Sequence, residues 1–192
     1  MITNDILNTL NNGAFYCYGR DTNLRPIIVF QMAKVIEMIK KIGIEKYKEA
    51  LSCFFNYIYK KLLIPGQIEN WVQIMDFDDV GMMSMGKMKD AMIANGTVLA
   101  YNGSRTFRVY WFNTPGMMKD GIKKDGSEAK MAKVKIVDKN GPNEMWAHIN
   151  KEQVEQKFGG SAQNVATDFF PPKVNSDQFW LENQNDSTRL MS

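Results

Sequence analysis

Residues 19–30 read Gly19-Arg20-Asp21-Thr22-Asn23-Leu24-Arg25-Pro26-Ile27-Ile28-Val29-Phe30. Turn formers crowd the first half and an apolar run fills the second. Glycine, aspartate and asparagine supply the chemistry of a tight connection. Pro26 is tolerated at a strand start, where its missing N–H precedes the ladder. Ala14 to Tyr18 reads as a short strand ahead of the turn, so the two strands form an antiparallel hairpin. Ile27 to Met32 is apolar on both faces, as in an interior strand covered on each side. Arg20 beside Asp21 has the look of a catalytic pair, but a hairpin held by a charge-assisted hydrogen bond is the simpler reading.

Working outward, Met1 to Leu10 is weakly helical and Gly13 ends it. Tyr47, Leu51, Phe54, Phe55, Ile58 and Leu62 share one face of a helix over Ile44–Leu63, with lysines largely opposite. Pro65-Gly66 breaks that helix. Trp71 to Met75 is a second buried strand. Ser84 caps a helix to about Asn95, which Gly96 stops. Phe107 to Phe112 is dense in β-formers and Val134 to Val137 is short and β-branched. Asn143 to Phe158 reads as a helix, closed by a left-handed turn at Gly159-Gly160. Strands alternating with helices predict an α/β layered fold with a mixed sheet.

The bulk numbers exclude more than they assign. The 192 residues carry 24 basic and 21 acidic side chains, a net charge of +3, too mild to point to nucleic acid. The 44% hydrophobic fraction is that of a globular protein. No run approaches the roughly 20 apolar residues that span a bilayer. Cys17 and Cys53 have no metal-type spacing and read as reduced, buried thiols. His148 is the only histidine, which leaves a histidine metal site or a Ser/His/Asp triad without support. Asp76, Asp78 and Asp79 read as a solvated, capping loop rather than a cation site. There is no GxGxxG or GxxxxGK[ST]. Six lysines between Lys119 and Lys135 are diluted by Asp120, Asp125 and Glu128 and lack the interleaved aromatics that RNA binding wants. Fourteen methionines, several between Met75 and Met92, read first as core filler and second as a soft wall for a flexible ligand.

Four segments together resemble the CRAL-TRIO lipid-binding domain. They are Gly19-Arg20-Asp21 with Arg25-Pro26 and its strand; Pro65-Gly66 through Trp71 to Asp76; Tyr101, the strand to Phe112, and Asn113-Thr114-Pro115; and His148-Ile149 through Lys157-Phe158-Gly159-Gly160. They span about residues 13–160 in the family's order. The resemblance implies a three-layer α/β fold, a mixed, mostly parallel sheet with helices on both faces. It divides the chain into a helical lead-in (1–12), the lipid domain (13–160) and an extended tail (161–192). The family's small N-terminal helical module has no counterpart.

The resemblance implies no enzyme and no covalent cofactor, but non-catalytic binding or transfer of a phospholipid or other lipid. The pocket would lie between sheet and gate, lined by Phe30, Met32, Met75, Met82, Trp111 and Phe112. Phosphatidylinositol binders of the family place a Glu after Tyr-Pro, where this chain has Asn102-Gly103-Ser104 after Tyr101. They place a Lys near the position of Asn143. Both inositol-reading charges are missing. The gate segment, Gly116 to Glu128, holds three glycines and six charges, little apolar surface for a lid. The alternative is therefore a structural subunit of a larger, membrane-associated assembly, its lipid pocket vestigial and its partner anchored on Phe169, Phe170, Phe179 and Trp180. A membrane surface and protein subunits are the expected partners, and nucleic acid is not. The expected location is intracellular, cytoplasmic or membrane-peripheral, with an organelle such as the mitochondrion left open.

Overall fold

The computed structural model describes residues 4–101, 105–116, 118, 132–137 and 143–172. The elements run α1 (Asn4–Leu10), β1 (Phe15–Arg20), β2 (Pro26–Gln31), α2 (Met32–Ile42), α3 (Ile44–Lys61), β3 (Trp71–Asp76), α4 (Met85–Tyr101), β4 (Thr106–Phe112), β5 (Val134–Ile136) and α5 (Asn143–Trp146). The five strands lie in sequence order, β1 antiparallel to β2 and the rest parallel. This is the mixed α/β fold expected from the hairpin and the strand–helix alternation.

Sequential parallel strands need crossovers, and right-handed crossovers all fall on one face. α2, α3 and α4 accordingly cover one side of the sheet, packing on Phe15, Ile28, Phe30, Trp71, Met75 and Trp111. The other side carries Tyr16, Ile27, Val29, Val72, Ile74, Tyr110 and Phe112, and is covered by residues after β5: Met145, Ile149, Val154, Phe158 and Phe169. The far layer is thus mostly irregular. Only α5 and two 3-10 turns, Lys151–Gln153 and Gln156–Phe158, stand where one helix over 143–158 was expected. The carbonyls such a helix would use are drawn elsewhere. His148 accepts from Thr22 N, Lys151 from Ser161 N and Val154 from Ala162 N.

Two other elements depart from the sequence reading. α4 continues through Gly96 to Tyr101. Gly96 faces open space, so its penalty is only the propensity cost, about 1 kcal/mol. α2 was not anticipated. It follows β2 without a break and is separated from α3 by Gly43 alone, at φ 84°.

The Gly19–Pro26 turn holds the two layers together. Asp21 Oδ1 accepts from the backbone N–H groups of Asn23 and Arg25 (2.9 and 2.8 Å), and Arg25 Nη1 lies 3.1 Å from Asp21 Oδ2. The Arg25 guanidinium sits 3.6 Å over the Phe107 ring. Arg20 Nη1 donates to Leu24 O (2.6 Å) and to Leu62 O (3.2 Å) at the end of α3. Gly19 has φ +73°, and a Cβ there would lie 2.2 Å from Gln153 O. Both the conformation and the contact demand glycine. Gly19→Ala should lower stability by about 2–4 kcal/mol, read as an earlier urea midpoint. A loss below about 0.5 kcal/mol would mean that the far layer does not seat on this turn.

Candidate functional site

On the helix side the alternation of β2, β3, β4 and β5 builds a row of neighbours, Phe30–Met75–Trp111–Ile136, paired through the registers of the parallel ladders. The two ends of this row differ. Around Phe30 the layer is filled by rings: Phe15, Phe30, Tyr47, Phe54, Phe55 and Trp71 contact one another at centroid distances of 5.1–6.5 Å. The Tyr47 hydroxyl donates to Asn95 Oδ1 within it. Around Trp111 the cover is softer. Phe77 meets the indole edge-on at 5.2 Å, and Met75 and Ile136 flank it in the sheet; the same helix-side cluster holds Met88 and, half-buried against it, Met85, Met92, Met118, Val109 and Val134. Thioethers adapt to irregular apolar shapes. Trp111 Nε1 is buried and finds no acceptor among the described residues. Gln73, also buried on this face, donates to Thr106 Oγ1 at 3.1 Å. Trp71 Nε1 and Asn95 Nδ2, at the ring-filled end, are, like Trp111 Nε1, buried without a hydrogen-bond partner among the described residues.

Of the residues expected to line a pocket, Phe30, Met32, Met75 and Trp111 share the helix-side core. Phe112, one residue along β4, points to the far side and packs on Phe158 at 5.0 Å. Met82 lies outside both, 80% exposed. Phe169 and Phe170 are buried inside this chain, against Tyr16 (5.1 Å) and Tyr57 (4.9 Å). Phe179 and Trp180, most of the gate segment and the inositol-type position after Tyr101 lie outside the described residues. Met85 and Met92, part of the methionine cluster noted in the sequence, and Met118, which lies beyond it, also pack half-buried against the helix-side core.

Asp76 proves to be a turn organiser. Its Oδ1 accepts from Asp78 N (3.0 Å) and Asn113 Nδ2 (2.9 Å), tying the ends of β3 and β4. Among the described residues no group of His, Cys, Asp and Glu could hold a metal, and no helix is long and apolar enough to cross a membrane. A separate cleft of ≈ 420 Å³ lies among α1, α2 and α3, floored by Ile6, Met38, Ile42 and Ala50. No sheet residue lines it.

The polar cluster of the far layer joins the buried Tyr16 and Glu155 to the exposed Lys157. Tyr16 Oη donates to Glu155 Oε2 (2.7 Å) and accepts from Lys157 Nζ (2.8 Å), while Val165 N donates to Glu155 Oε1 (2.8 Å). Burial first, and then the Glu155 charge, push the Tyr16 hydroxyl well above its usual range. Burial likewise raises Tyr47, and pushes the Cys17 thiol up to about 12. All three stay protonated in the native state and ionise more readily when unfolded. Their contribution is therefore complete below the unfolded values and is lost as pH rises: from about 8.5 for the thiol and about 10 for the phenols. The thermal midpoint should fall steadily above pH 8.5, and native Cys17 should resist thiol reagents at pH 8 until denaturant is added. A flat midpoint up to pH 11 would contradict this burial. Tyr16→Phe should cost about 1–3 kcal/mol, because Glu155 is left buried and short of a donor; urea titration reads it.

With this geometry in hand, a family model described as the CRAL/TRIO domain matches residues 10–160. Comparison with curated proteins finds no match. Among solved structures, the crystal structure of Sfh5 matches with 16% identity and a TM-score of 0.47, over 71% of this chain and 51% of that one. The chain thus spans about half the length of that structure. With the family model covering 10–160, the chain belongs to the CRAL/TRIO domain family, whose members are generally lipid-binding or lipid-transfer proteins rather than enzymes.

Proposed function

We propose that the chain binds one hydrophobic lipid molecule, without covalent chemistry, in the helix-side layer over β4 and β5. The observation that carries this reading is Trp111: a buried indole N–H with no acceptor among the described residues, in a helix-side cluster against which Met85, Met92 and Met118 pack half-buried. Ligand sites are mostly apolar with few placed polar groups. An ester carbonyl or hydroxyl on the ligand would satisfy Nε1, and acyl burial would drive binding at about 25 cal/mol per Å². Neither inositol-reading charge is present, so the head group would be read by hydrogen bonding rather than by charge.

A second reading, a structural subunit of a larger assembly, is supported by the solid aromatic packing over β2 and β3 and by the exposed apolar side chains of Met82, Met83, Ile93 and Tyr101 on and beside α4. Native mass spectrometry of gently purified protein distinguishes the two. Lipid binding predicts an extractable excess of a few hundred daltons. Val109→Trp, which fills the half-buried region, should lower lipid occupancy at least tenfold while the fold persists. An unloaded chain co-eluting with other proteins at fixed stoichiometry would favour the subunit.

A further inference from the structure

α4 exposes large apolar side chains on its outer face, beside Lys87, Lys89 and Asp90, as well as burying others on its inner one. Met88, Ala91, Ala94 and Val98 face the core. Six large apolar side chains are exposed among the described residues. Four of them lie on α4 or on the 3-10 turn leading into it: Met82, Met83, Ile93 and Tyr101, at 80, 101, 58 and 87% exposure. A surface helix ordinarily keeps its outer face polar, and concentrated apolar exposure marks a contact surface. Nothing lies within 4 Å of where a Cβ would stand on Gly86 or Gly96, so another backbone can approach closely.

We propose that this face is the interface of a twofold dimer, in which α4 packs antiparallel on α4 of a second copy with Ile93 at the axis. The argument is self-complementarity. Gly86 and Ala100 lie seven residues to either side of Ile93, Lys89 and Thr97 four, Asp90 and Gly96 three. Offsets of three, four and seven stay on one helical face. Antiparallel pairing about Ile93 sets Gly86 against the copy's Ala100, small against small, and lets the axes approach to about 8 Å. It sets Met85, eight residues before Ile93, against the copy's Tyr101, eight residues after it, a thioether on a ring. It sets Lys89 toward the copy's Thr97, whose hydroxyl already donates to Ile93 O at 2.9 Å and can accept from the ammonium. A parallel pair would oppose Lys89 to Lys89. Each patch meets its equivalent, as an isologous contact requires. One helix per copy buries less than the roughly 1,200 Å² of a typical stable interface, so the dimer forms reversibly with concentration.

Sedimentation equilibrium of the 192-residue chain tests this. The wild type should rise from 22.0 kDa toward twice that mass across the micromolar range. Ile93→Arg and Ile93→Glu should each weaken association at least tenfold, with circular dichroism unchanged because the side chain is exposed. An equimolar mixture of the two should associate again, since residue 93 then faces an opposite charge. Ile93→Cys in a Cys53→Ser background should form a disulfide-linked dimer on oxidation, an independent reading if a charged variant unfolds. The proposal is overturned by a wild type that stays monomeric, whether or not it binds anionic phospholipid vesicles or another protein. A dimer that survives both charged variants, or that Ile93→Cys fails to cross-link, overturns it too.

Discussion

The Arg20–Asp21 turn is the constraint on which the rest depends. Arg20 reaches the carbonyl that ends α3, while Asp21 fixes the loop that starts β2 and holds Arg25 over β4. Buried guanidinium and carboxylate groups are costly unless hydrogen-bonded. Here the backbone carbonyls and N–H groups of the turn supply the partners. The turn therefore fixes the position of the hairpin, of the long helix and of the residues near 148–153 in one small volume. Removing a partner would leave a charge stranded, which is why a segment that looks catalytic is better understood as a joint.

From that joint the molecule divides into a rigid half and a soft half. Over β2 and β3 interlocked rings leave little room for anything but themselves. Toward β4 and β5 the same sheet face carries Val109, Trp111, Val134 and Ile136, all but the tryptophan half-buried. Rigid packing sets the geometry of the row. The far layer takes no part in that. Its Tyr16–Glu155–Lys157 cluster clamps an irregular segment onto β1 and needs no ligand to explain it.

The sequence was most legible where the chemistry is local. The Gly-Arg-Asp turn, the proline-started strand, the long amphipathic helix and the glycine after Phe158 all follow from neighbours a few residues apart. Their order and spacing also carried the family. Legibility failed where a tertiary partner decides. Gly96 stops a helix only if its backbone needs another conformation, and here it lies on an open face. Residues 143–158 have helical spacing, but their carbonyls are claimed by the hairpin and by the chain beyond Gly160. Trp111 and Phe112 are both apolar and adjacent, yet strand alternation sends them to opposite layers. Phe169 and Phe170 sit in a polar stretch that reads as a tail. Their burial against Tyr16, Gly13 and Tyr57 depends on surfaces built more than 110 residues earlier.

The clamp on β1 also sets an order of events. Tyr16 waits for Glu155, 139 residues away, and Asn11 for Phe170, 159 residues away. One face of the sheet thus stays bare until the chain past β5 exists, while the helix-side crossovers close early and locally. Contacts of such separation slow folding and leave the intermediate exposed. During synthesis the first strands would emerge with a naked apolar surface, including Ile27, Val29, Val72 and Ile74, for most of the chain's elongation. The protein is therefore one whose nascent form, more than its finished form, has reason to meet a chaperone.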